Sequence, residues 1–93
     1  MIEISISLVS YNQRHDLERL LPSLLPAASL IDSEILLVDD SSNDGTNDFI
    51  QQYSPQIDLL FNPRRAGYGK NHNLNLQRAC GRYFVMWNAE PVG

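Results

Sequence analysis

The sequence predicts an α/β domain: a doubly wound, mainly parallel sheet in the order βαβαβαβ. Three observations carry this expectation. Ile2, Ile4, Ile6 and Leu8 alternate with Glu3, Ser5 and Ser7, the period of two that marks a strand. Leu17, Leu20, Leu21, Leu24 and Leu25 follow the spacing that places five side chains on one helical stripe. Ile35-Leu36-Leu37-Val38 is apolar without alternation, as a central strand covered on both faces is.

The first strand runs from Ile2 to Val9, with one face greasy and the other small. The leucine stripe gives the first helix. Pro22 lacks an N–H and crowds the carbonyl of Glu18, so a kinked or loosened helix is expected there. The second strand, Ile35 to Val38, is closed by Asp39-Asp40. The cluster Ser41-Ser42-Asn43-Asp44-Gly45 is rich in turn and capping residues, and Thr46 to Tyr53 reads as a short helix ended by Pro55. Ile57 to Phe61 is the third strand, Tyr68 to Ala79 the third helix with Gly81 as its stop, and Tyr83 to Trp87 the fourth strand. Right-handed crossovers join such an order into one sheet.

Composition limits what this domain does. The 93 residues, 43% hydrophobic and 19% charged, suit one compact domain. A net charge of −4 and the lack of a basic stripe argue against nucleic acid as a partner. Cys80 is the single cysteine, so no internal disulfide forms, and zinc-type Cys/His spacing is missing. The start Met1-Ile2-Glu3 has no basic leader, and the apolar run Tyr83 to Trp87 falls far short of a membrane span. A cytoplasmic location is the expectation.

In open α/β sheets, ligands sit beyond the carboxyl ends of the strands, where helix N-termini and loop amides converge. Here those ends deliver Ser10-Tyr11-Asn12, Asp39-Asp40-Ser41-Ser42, Asn62-Pro63-Arg64-Arg65 and Asn88-Ala89-Glu90. Adjacent carboxylates repel and need donors. Asp40 and Asp39 therefore either accept from a ligand's N–H or hydroxyl groups or cap a neighbouring helix or loop. Glu90 offers a hard oxygen for Mg²⁺ or Mn²⁺, or is simply solvated. Arg64, Arg65 and Lys70 are candidates to face a diphosphate. His15 reads as a surface helix residue, and Cys80, Met86 and Trp87 as core or rim packing, Trp87 being a candidate for the pocket edge.

The run Val38-Asp39-Asp40 with Ser42, Asp44, Gly45 and Thr46 resembles family 2 glycosyltransferases of the GT-A fold. Ser10-Tyr11-Asn12, Gly67-Tyr68-Gly69, Asn73 and Cys80-Gly81-Arg82 extend the resemblance over nearly the whole chain. It implies a Rossmann-like nucleotide-binding half over residues 1–93, for a nucleotide-sugar donor. Val9 and Tyr11 would line the base pocket, Asp40 would accept from the base, Asp39, Lys70 and Asn88 would lie along the nucleotide, and Glu90 would meet the metal on the diphosphate. His72 stands where the family often has arginine. Asn88-Ala89-Glu90 is similar to the Asn-Pro-Asp variant of rhamnosyltransferase-like members, which points to a dTDP-sugar beside the more general UDP-sugar.

Family members continue into an acceptor half that carries the general base of an inverting displacement. No catalytic residue is therefore assigned within residues 1–93. Tyr83 to Trp87 is expected to be an uncovered sheet edge open to self-association. A dinucleotide-dependent oxidoreductase would carry Gly-x-Gly-x-x-Gly after the first strand, where this chain has Ser10-Tyr11-Asn12. A phosphate-receiving signalling domain would gather acids after strands one and three, not two. The remaining rival is a non-catalytic nucleotide-binding module.

Overall fold

The computed structural model describes residues 1–88. Seven elements alternate: β1 (Ile4–Ser10), α1 (Arg14–Ala28), β2 (Ser33–Asp40), α2 (Thr46–Gln51), β3 (Ile57–Asn62), α3 (Tyr68–Arg78) and β4 (Tyr83–Asn88). The four strands form one parallel sheet in the order β3-β2-β1-β4. The expected α/β class and parallel sheet are both present.

Register explains the division of labour between the two faces. Ile6 pairs with Ile35 and Leu8 with Leu37, and these four join Leu17, Leu21, Leu24, Ala28, Ile50 and Ile57 in the apolar core. Leu20 and Leu25 pack against it, so the whole leucine stripe of α1 faces inward. The helix continues through both Pro22 and Pro26 rather than breaking at the first. Proline costs a helix its N–H and crowds the preceding turn; here the stripe of buried leucines on both sides of Pro22 offsets that cost.

The opposite face is built differently. Ser5 and Ser7 are fully buried there, as are Asn71, His72 and Asn75 of α3, of which His72 and Asn75 reach Ser7. The Asn75 Nδ2 donates to Ser7 Oγ at 2.9 Å, to the Leu8 carbonyl at 3.1 Å and to the Leu36 carbonyl at 3.2 Å. Its Oδ1 accepts from Arg78, which also reaches the Leu37 and Asp58 carbonyls. The same Ser7 hydroxyl is hydrogen-bonded to His72 Nδ1, 2.7 Å away. Burial holds the imidazole below its ordinary pKa, so it stays neutral. His72 thus locks a helix to a strand and turns no charge toward the carboxyl edge.

Two further expectations need correction. Gly81 is not a left-handed helix stop: α3 closes on the extended residue Ala79, and Gly81 has no positive φ. Glycine is needed because a Cβ at position 81 would lie 2.5 Å from both Ser5 N and Ser5 Oγ, an approach that permits the Gly81 N–H to donate to Ser5 Oγ at 2.7 Å. Of the core-or-rim reading of Cys80, Met86 and Trp87, the core alternative falls away: Cys80 is exposed, and Met86 and Trp87 are 67% and 44% exposed and line grooves. The reason is position. β4 is an edge strand paired only with β1 among the described residues, and Trp87 lines a groove against Leu20, Leu24 and Ile31 on the α1 face.

Candidate functional site

Because all four strands run the same way, their carboxyl ends share one rim. Two loops there are stitched together. The Asn12 N–H donates to Ser42 Oγ at 2.8 Å, and the Asn43 N–H returns to Asn12 Oδ1 at 2.8 Å. Asp44 serves two helix starts at once, accepting from the Arg14 N–H of α1 at 3.2 Å and from the Thr46 N–H of α2 at 3.1 Å. Burial would raise its carboxyl, but the Thr46 hydroxyl and the Arg14 and Thr46 amides outweigh that and hold it below the usual range. Gly45 supplies the positive φ of 85° that starts α2. Much of the Asp-Asp-x-Ser-x-Asp-Gly-Thr stretch is therefore architecture.

The adjacent acids Asp39 and Asp40 avoid repulsion by pointing to opposite faces of the sheet, as strand alternation requires. Asp39 is 0% exposed. Its Oδ1 accepts from Ser10 Oγ at 3.3 Å and from the Ser42 hydroxyl, while Oδ2 has no hydrogen-bond partner among the described residues. Burial pushes this carboxyl up, against the pull of the two hydroxyls. Asp39 braces the first two loops from below the rim.

Asp40, 2% exposed, lies on the α3 face. Its Oδ1 accepts from the Ala66 N–H at 2.9 Å; its Oδ2 accepts from the Gly67 N–H at 3.1 Å and from Arg65 Nε at 3.0 Å. Burial alone would raise it, yet the Ala66 amide, the Asn71 carboxamide, the Gly67 amide and Arg65 together hold it below the ordinary carboxylate range. The cradle depends on Gly67, whose φ of 92° and ψ of 168° lie in a region open essentially to glycine alone. Above it, the Arg65 guanidinium lies over the exposed Tyr11 ring, its Cζ 3.6 Å from the ring centroid.

The other candidates distribute around this centre. Val9 is buried in register with Val38 and with Asn88, which ends β4. Lys70 is exposed on the first turn of α3, and Arg64 is exposed in the loop before it. His15 is on the surface of α1. Trp87 belongs to the α1 face and so lies across the sheet from Asp40. Glu90 lies outside the described residues, and among the described residues no group of three His, Cys, Asp or Glu side chains could hold a metal. Sequence reasoning placed Arg65 at a diphosphate and missed its contact with Tyr11 and Asp40. It also missed the polar seam under α3, whose signal was the pairing of the small strand face with Asn71 and Asn75.

Residues 5–89 match the family model described as glycosyl transferase family 2. The chain belongs to that family. It is 33% identical over 90 residues to the Bacillus subtilis (strain 168) protein TuaG, provisionally named a teichuronic acid biosynthesis glycosyltransferase, covering 94% of this chain and 35% of that protein. It is 29% identical over 90 residues to the Escherichia coli glucosyltransferase WfgD, named as acting from UDP-Glc on α-D-GlcNAc-diphosphoundecaprenol, covering 96% of this chain and 35% of that protein. The chain thus spans about a third of the length of these relatives. Among solved structures, residues 1–349 of Staphylococcus aureus TarS in complex with UDP superpose with a TM-score of 0.85 at 23% identity, over 96% of this chain and 28% of that one. The Pyrobaculum calidifontis mannosyltransferase PcManGT, in complex with GDP-Man and Mn²⁺, gives 0.83 at 22% identity, over 95% and 27%. At these identities the superpositions establish a shared GT-A fold. No helix among the described residues is long and apolar enough to cross a membrane.

Proposed function

We propose that this chain is the donor-binding portion of an inverting glycosyltransferase of glycan synthesis, holding the nucleoside diphosphate of a UDP- or dTDP-sugar at the carboxyl rim of its sheet. The observation that carries the reading is the Tyr11–Asp40 pair: an aromatic face and a buried, charged carboxylate, both touched by the Arg65 side chain. A nucleobase offers the complement to both, a π-face to stack and a planar N–H to donate. Uracil and thymine present one such N–H between two carbonyls. Their N–H matches the acceptor-only Asp40 carboxylate, which donors from the loop before α3 keep charged.

Val9 forms the floor beneath Tyr11 in this reading, with Asn88, Lys70 and Arg64 along the sugar and diphosphate. Asp39 acts on the nucleotide only through the loops it braces. Glu90 is the residue that would hold Mg²⁺ or Mn²⁺, an ion that offsets diphosphate charge in a chain of net charge −4. The rhamnosyl subtype rests on the Asn88-Ala89-Glu90 motif alone. The general base belongs to the acceptor-binding half of the family, so no turnover is assigned to these residues.

Calorimetric titration of the chain with UDP, dTDP, GDP, CDP and ADP tests this reading. UDP or dTDP is expected to bind at least about tenfold more tightly than CDP or ADP, whose bases lack an imide N–H, a difference of roughly 1.4 kcal/mol. Affinity is expected to fall at least about tenfold when Mn²⁺ is replaced by EDTA. Equal affinity for all five would remove the base-reading role of Asp40, and metal-independent binding would pass the diphosphate to the basic side chains. Light scattering on the same samples is expected to give a mass above the monomer, since β4 exposes Tyr83, Val85, Met86 and Trp87 at an open sheet edge; a monomer would refute self-association.

A further inference from the structure

Arg65 makes the same two contacts that the base would make. Its guanidinium is planar, lies over the Tyr11 ring with Cζ 3.6 Å from the centroid, and donates an in-plane N–H to Asp40 Oδ2 at 3.0 Å. The side chain is otherwise free to move: it is 54% exposed, and it projects from a loop whose backbone is fastened independently. Ala66 and Gly67 hold that loop to Asp40 through their own amides. Removing the guanidinium from Tyr11 therefore leaves the cradle intact. A base entering while it stayed would find the ring face already covered.

We propose that Arg65 is an internal stand-in for the nucleobase, stacked on Tyr11 and paired with Asp40 in the ligand-free chain, and that a base binds by displacing it. This inference rests on the reading of Tyr11 and Asp40 as the base site. It gives Arg65 a role opposite to that of an ordinary binding residue. A cation on the rim of a phosphate site is expected to help the ligand, whereas this one lowers affinity for the base, screening the site against weak planar ligands. It also keeps the Asp40 carboxylate paired while no ligand is present, which avoids a buried charge left with an open face.

Uridine separates the two roles because it carries the base and no phosphate. Calorimetry of uridine and UDP with the wild-type chain and with Arg65→Ala and Arg65→Lys tests the sign of the effect. Arg65→Ala is expected to bind uridine about three- to tenfold more tightly than wild type. Arg65→Lys, which keeps the charge but has no flat face to stack, is expected to show a smaller gain. In nitrogen-detected NMR of the wild-type chain, the Arg65 Nε–H is expected to be protected from exchange without ligand and to lose that protection when uridine is added. Uridine affinity that falls in Arg65→Ala, or that changes less than about twofold, would overturn the proposal while leaving the base site standing. Failure of all three chains to bind either uridine or UDP would overturn the base site itself, and the proposal with it.

Discussion

Asp40→Asn is expected to weaken UDP or dTDP binding by roughly 1–3 kcal/mol, a loss of about five- to 150-fold, and to destabilise the free chain as well. Both effects come from one carboxylate. In the ligand-free chain it accepts from the Ala66 and Gly67 amides and from Arg65, and an asparagine presents an N–H₂ group to at least one of those donors. The pH dependence has a defined sign. The folded Asp40 carboxyl lies below its ordinary range, so the unfolded chain takes up the proton first as pH falls. Its contribution is complete above about pH 3.9 and is lost as pH drops through the lower folded value. Asp39 runs the other way: burial raises its carboxyl, so its contribution declines as pH rises from about 3.9 through the raised folded value. Urea midpoints of both variants between pH 3 and pH 7, with nucleotide titrations at neutral pH, check this. Asp40→Asn should flatten the acid limb and lose nucleotide, whereas Asp39→Asn should keep stability within about 1 kcal/mol at neutral pH. Equal behaviour of the two variants would contradict the assignment of the acids to opposite faces.

Asn75→Leu is expected to cost roughly 2–4 kcal/mol of folding stability, a large share of the few to about 14 kcal/mol available to a chain of this size. One side chain closes the seam between α3 and the sheet, reaching Ser7, Leu8 and Leu36 while accepting from Arg78. Leucine has the same branching at Cγ and none of those polar groups, so buried partners on three elements lose hydrogen bonds at once. A loss under about 0.5 kcal/mol in urea unfolding would show that the seam is held by apolar contacts instead.

The contrast between these two sites shows what the sequence made legible. Strand and helix order followed from Ile4, Ile6 and Leu8, from the leucine stripe, and from the unbroken run ending at Val38, because apolar periodicity is a local signal of burial. The carboxyl rim was legible for the same reason: once strands are parallel, their last residues share an edge. The α3 seam was not, since Asn71, His72 and Asn75 carry no apolar period and polar helices ordinarily face water. What buries them is a strand face of serines, a pairing that exists only after the elements meet. Asp39 and Asp40 were read as one repelling pair, although a period of two already sends neighbours to opposite faces. Their donors come from Ser10, Ser42, Ala66 and Gly67, up to 29 positions away. No local pattern reports that distance.

Amide chemical-shift mapping of the chain titrated with UDP and Mn²⁺ tests most directly whether the Tyr11–Asp40 rim holds the nucleotide. The largest shifts are expected at Ser10 to Asn12, at Asp40, and at Arg65 to Gly67, where base entry rearranges the cradle. Shifts centred on the groove lined by Leu20, Leu24, Ile31 and Trp87, or the absence of saturable shifts anywhere, would contradict it.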